Sequence, residues 1–136
     1  MPDGEVVRTR DWQPDARAWL GRLGIVLFML VAAVRELGGA GAVLGNHVVI
    51  RIAPGRYAVV AHLRRRSVRV RAGDRVSAGQ QIAECGNTGN TTEPHVHVQL
   101  SDSAHPAFAA GLPMAFRLAD RTTGVPANGE FLPHDR

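Results

Sequence analysis

His47-Val48-Val49-Ile50-Arg51-Ile52, the turn Pro54-Gly55, and Tyr57-Ala58-Val59-Val60-Ala61-His62-Leu63 decide the fold. Both arms are rich in β-branched residues, and the Pro-Gly pair between them marks a turn, so the stretch reads as a β-hairpin. From His47 onward the hydrophobic period is two. Ser67 to Arg71 alternates again, with Val68 and Val70 on one face, and Gly73-Asp74 and Gly79 mark turns. Gln80 to Cys85 reads as a further strand, and His95 to Leu100 as the last clear one. Cys85 is expected in the core. Upstream, Glu5 to Arg10 reads as a short strand. Asp15 is a candidate N-cap for a helix from about Ala16 to Leu37, ended by Gly38-Gly39. Its centre, Ile25 to Val34, is apolar on all sides, which points to a buried or interfacial helix. The pattern as a whole predicts a mainly β domain, an antiparallel sheet or sandwich with one helical insertion at about 12–44. The domain spans 1–118, and 119–136 is expected to be a loosely ordered tail.

Composition narrows the function. The 136 residues carry a net charge of +4, and every basic residue is arginine. Without lysine there is no Schiff base, no Walker-type phosphate loop and no biotin or lipoyl attachment. That discards a carrier domain, although Val68 to Ile82 looks like half of such a hammerhead. A lone cysteine excludes an internal disulfide and any Cys-x-x-Cys site. Aromatics make up 5%, too few for base-stacking platforms, so nucleic acid is not expected as a partner. The start of the chain is acidic and polar and does not read as an export signal. The apolar run Leu23 to Val34 would be about 18 Å long as a helix, against roughly 30 Å of hydrocarbon. It is expected to cover the sheet, dock another domain or lie on a membrane surface.

The chemistry concentrates in Pro94-His95-Val96-His97-Val98. On a strand His95 and His97 project to one face, where two imidazoles can hold a metal or move protons. The alternative is a pair of solvent-facing histidines. Gly86-Asn87-Thr88-Gly89-Asn90-Thr91-Thr92, a turn-forming loop, leads into this strand. A third histidine, His62, ends an apolar run where an idle imidazole would be costly to desolvate. His47 is expected at the surface.

These motifs together resemble the lysostaphin-type zinc metalloendopeptidases, cell-wall hydrolases that cut peptide bonds in peptidoglycan. The resemblance runs from about Asn46 to Leu100. It rests on the Ala61-His62-Leu63 motif, the Gly-Asn-Thr-Gly-Asn-Thr loop and Pro94-His95-x-His97. It implies the family's antiparallel fold, the duplicated hybrid motif. It implies zinc as cofactor with His97 as a ligand, His62 and His95 as catalytic histidines, and peptidoglycan peptide as substrate. It implies action outside the cytoplasm. Arg64, Arg65, Arg66, Asn87, Thr88 and Asn90 would form a substrate rim.

The resemblance also implies a His-x-x-x-Asp ligand pair ahead of the strand that Asp3 to Val7 matches. No histidine of this sequence has an aspartate four residues on. One expectation is therefore a chain that begins inside the domain, inactive by itself and a weak zinc binder. The other is an inactive wall-binding or hydrolase-regulating module on the same fold.

Overall fold

The computed structural model describes residues 3–16, 21–117 and 123–125. The α-helices and strands among these residues are, in chain order, β1 (Gly4–Arg10), α1 (Gly21–Leu37), α2 (Ala40–Leu44), β2 (Asn46–Ala53), β3 (Arg56–Leu63), β4 (Arg75–Val76), β5 (His97–Ser101), β6 (Gly111–Leu112), β7 (Phe116–Arg117) and β8 (Thr123–Gly124). Six strands form one sheet in the order β4-β1-β2-β3-β5-β6, and every neighbouring pair is antiparallel. The fold is mainly β, as the period-two pattern predicts. The Pro54-Gly55 turn joins β2 to β3, with Gly55 at φ 64°. β7 and β8 pair separately. Most of the expected tail, 119–122 and 126–136, lies outside the described residues.

The central hairpin is buried because its β-branched residues fill both faces. Val48, Ile50 and Val60 join Val6, Leu63 and Val76 in one cluster, with Ile52, Val68, Val70, Ile82 and Ala83 packed against it. Fully burying a side chain such as Ile50 contributes about 1.5–3 kcal/mol. On the opposite face Val49 and Val59 are also buried.

Two expected strands are absent. Ser67 to Arg71 and Gln80 to Cys85 keep their apolar alternation but form no ladder. Single contacts join them instead, such as Arg69 N–H to the Ile82 carbonyl at 2.8 Å and a bridge between Leu63 and Cys85. Side-chain bonds take the place of ladder bonds: the Asp74 carboxylate accepts from Arg71 N–H, and Ser67 Oγ accepts from Glu84 N–H. Cys85 is exposed and is not a core residue.

The helical insertion also departs from expectation. Residues 17–20, where a helix capped by Asp15 would begin, lie outside the described residues; the Asp15 carboxylate accepts from the N–H groups of Asn87 and Arg65. α1 ends at Gly38-Gly39, with Gly39 at φ 77°, as the glycine pair predicts. It is not a buried helix: Val26, Leu27, Met29, Leu30, Val34 and Leu37 are all exposed, Leu37 by 90%. Among the described residues no helix is long and apolar enough to cross a membrane.

Candidate active site

The site begins with an irregularity in β3. The β2–β3 register pairs Val48 with Val60 and Ile50 with Ala58, which sets the core face. Ala61 lies opposite His97 in the β3–β5 ladder, on the other face. A regular pleat would send His62 to the core face, away from His97. His62 instead has φ 60°, a left-handed conformation that costs a non-glycine residue about 1–2 kcal/mol. The kink moves the next residue, Leu63, into the same core cluster as Val60. It turns the His62 ring toward His97 of β5 and His95 just ahead of that strand.

There the three imidazoles meet. The His62 ring centroid lies 4.7 Å from that of His95 and 5.9 Å from that of His97. His62 is buried, His95 is exposed and His97 is intermediate. His95 is held at the site by a bridge between its backbone and Gly86.

Hydrogen bonds fix how each ring presents itself. His62 Nδ1 lies 2.7 Å from the Thr88 carbonyl, which only accepts, so Nδ1 carries the proton and Nε2 keeps its lone pair. His95 Nδ1 lies 2.9 Å from the Glu93 carbonyl and is protonated on the same ground. Thr91 Oγ1 donates to that carbonyl and accepts from His95 Nδ1 at 3.0 Å. His97 Nε2 faces Gln99 Oε1 at 2.9 Å, which leaves Nδ1 with the lone pair. Burial lowers the His62 pKa, and repulsion from His95 and His97 adds to this, while the Thr88 carbonyl opposes it. His62 is therefore a neutral base at neutral pH.

Behind the rings lies a buried polar network that sequence reasoning missed. Thr88 is 0% exposed. Its hydroxyl accepts from Asn46 N–H at 2.9 Å and donates to the Leu63 carbonyl at 2.8 Å. Asn46, also fully buried, donates from Nδ2 to the carbonyls of Gln13 and Leu63, and its Oδ1 accepts from Gln13 N–H. The expectation puts Thr88 and Asn87 on a substrate rim; both are buried, Thr88 in this network and Asn87 with its Nδ2 given to the Ala16 carbonyl and its N–H to the Asp15 carboxylate. Asn90 is half-buried, with its N–H given to the Val43 carbonyl. Arg64, Arg65 and Arg66 are exposed, as a rim requires, but Arg64 is paired with Glu84 at 2.7 Å. The only sequence signal for Asn46 and Thr88 is that each is a small polar residue beside a turn-forming glycine, in Gly45-Asn46 and in Asn87-Thr88-Gly89.

His47 also departs from expectation. It is 2% exposed and donates from Nδ1 to the Gly45 carbonyl at 2.8 Å. Burial lowers its pKa, helped by repulsion from Arg10 and Arg8 and opposed by that carbonyl.

The three free imidazole nitrogens suit a soft-to-borderline metal by type. Their placement does not suffice: among the described residues no group of three or more His, Cys, Asp or Glu side chains is set to hold a metal ion. A zinc ion with about three protein ligands and a water does not fit these residues alone.

Comparison with known proteins agrees with the sequence motifs. The model of peptidase family M23 matches residues 29–108, more than half of the chain. The peptidoglycan DD-endopeptidase ShyA of Vibrio cholerae is 40% identical over 73 residues, covering 52% of this chain and 16% of ShyA. The chain thus spans about a sixth of that curated relative. The catalytic domain of the prophage-encoded M23 protein EnpA from Enterococcus faecalis superposes with a TM-score of 0.49 at 25% identity, covering 82% of this chain and 62% of that one. The catalytic domain of lysostaphin from Staphylococcus simulans gives 0.43 at 24% identity, covering 82% and 69%.

Proposed function

Since the chain belongs to peptidase family M23, we propose that it carries the imidazole half of a site that hydrolyses peptide bonds in bacterial peptidoglycan. The observation that supports this reading is the meeting of His62, His95 and His97, with two rings held in the Nδ1–H tautomer. His62 and His95 are the acid–base pair. Each offers a bare Nε2 that takes a proton from an attacking water and returns it to the leaving amine, work that contributes about 10²–10⁴-fold. A protonated imidazole beside the reacting carbonyl also stabilises the tetrahedral oxyanion. His97 offers Nδ1 as one ligand of a zinc ion. That ion, when bound, supplies Lewis acidity and a more acidic water.

The remaining ligands are a His-x-x-x-Asp pair, which the sequence does not contain. Activity of these 136 residues therefore depends on that pair being supplied, and alone they hold zinc weakly. A wall substrate puts the site of action outside the cytoplasm. A second reading is a wall-binding or hydrolase-regulating module that does not cut. What favours it is the lack of a metal-holding group among the described residues. Turnover of purified peptidoglycan, measured after a His-x-x-x-Asp segment is joined ahead of β1, separates the two. Cleavage abolished by H97A and strongly reduced by H62A supports the peptidase; no cleavage on restoration supports the module.

A further inference from the structure

The site loop and the helical insertion share two consecutive peptide groups. The first, between Thr88 and Gly89, gives its carbonyl to His62 Nδ1–H at 2.7 Å. The second, between Gly89 and Asn90, is gripped at both ends by the insertion. Its carbonyl accepts from Arg35 Nη1 of α1 at 2.5 Å. Its N–H donates to the Val43 carbonyl of α2 at 2.8 Å. Gly89 hinges the two groups at φ 82°, so close to Val43 and Gly45 that a Cβ there would collide with the Val43 carbonyl oxygen. Arg35 stands in the last turn of α1, where an arginine ordinarily needs no more than its own helix's carbonyls. Here its guanidinium reaches 54 residues along the chain instead.

We infer that Arg35 is a positioning residue for His62 and that the α1–α2 insertion braces the site loop. Fixing the second peptide group fixes the plane of the first through one glycine. The first group selects the His62 tautomer and aims its Nε2. That His62 acts on substrate rests on the proposed peptidase reading; the bracing itself does not.

The test is the His62 imidazole in long-range ¹H–¹⁵N spectra of the whole ¹⁵N-labelled chain, assigned by its loss in H62Q. The wild-type chain is expected to show one Nδ1–H tautomer with a slowly exchanging ring proton. Losing a charge-assisted bond to the loop in R35M should speed that exchange about tenfold or more and mix the tautomers. R35K, which keeps a charged donor, should recover part of the wild-type pattern. L37A, in the same turn and exposed, should leave it unchanged. A wild-type pattern in R35M, or an equal disturbance in L37A, overturns the inference. If R35M does not fold, R35Q takes its place: faster exchange supports the brace and unchanged exchange overturns it. Failure of the peptidase reading would appear in peptidoglycan turnover and would leave these spectra as expected.

Discussion

The rings of His62 and His97 lie 5.9 Å apart, although the β3–β5 register would place them on opposite faces of a regular pleat. The left-handed backbone at His62 resolves the conflict. Strain at that position is what assembles the site, and the Thr88 network is what holds it.

Thr88→Val keeps the shape of the side chain and removes the hydroxyl. It leaves a buried Asn46 N–H without its acceptor and the Leu63 carbonyl without one donor. The expected loss is about 1–3 kcal/mol, with Thr88→Ser losing less. Urea melts of the two variants check this; equal stability of Thr88→Val and wild type would remove the network from the account.

Gly89→Ala must adopt φ 82° and place a methyl against the Val43 carbonyl. The expected loss is about 2–4 kcal/mol, combining the left-handed penalty with overpacking. A thermal melt within error of wild type would show that the loop and the insertion are not in contact.

Among the described residues Arg66 is the other non-glycine residue with positive φ, at 60°, and its side chain is exposed. Arg66→Gly relieves the strain and adds freedom to the unfolded chain, for an expected net gain of about 0.5–1 kcal/mol. A loss of stability would mean that the arginine makes contacts that outweigh its strained backbone.

His47 gives the chain a pH dependence whose sign is fixed by burial. Its folded pKa lies below the ordinary value near 6.5. Above that value both folded and unfolded chains are neutral at His47, and its stabilising contribution is complete. As pH falls below it, the unfolded chain takes up the proton first, and stability declines until the folded pKa is passed. His62 shifts in the same direction and adds to the slope. Melting temperature should therefore drop between pH 7.5 and 5.5, and His47→Asn, which can still donate to Gly45, should flatten the drop. A variant as acid-sensitive as wild type would assign the slope to other groups.

The hairpin 47–63 and the histidines were legible because β-branched alternation, a Pro-Gly turn and His-x-His are local signals. The kink at His62 was not, because nothing local in Ala61-His62-Leu63 signals a left-handed residue; the conflict arises only from the register with β5. Asn46 and Thr88 looked like turn and rim residues because small polar side chains look alike in sequence whether they meet water or each other. The expected strands at 67–71 and 80–85 failed because side-chain hooks at Asp11, Ser67 and Asp74 satisfied backbone groups that a ladder needs. The exposed face of α1 reversed one half of the expectation: an all-apolar helix is as consistent with an uncovered surface as with a core.

The most direct test of the central claim is the zinc retained per chain after dialysis. It is measured on the 136 residues and on the same residues with a His-x-x-x-Asp segment joined ahead of β1. The account expects well under one equivalent in the first case, since His97 offers one ligand of about three. It expects one equivalent in the second, lost again in H97A. One tightly held zinc in the 136 residues alone, with peptidoglycan turnover to match, would contradict it.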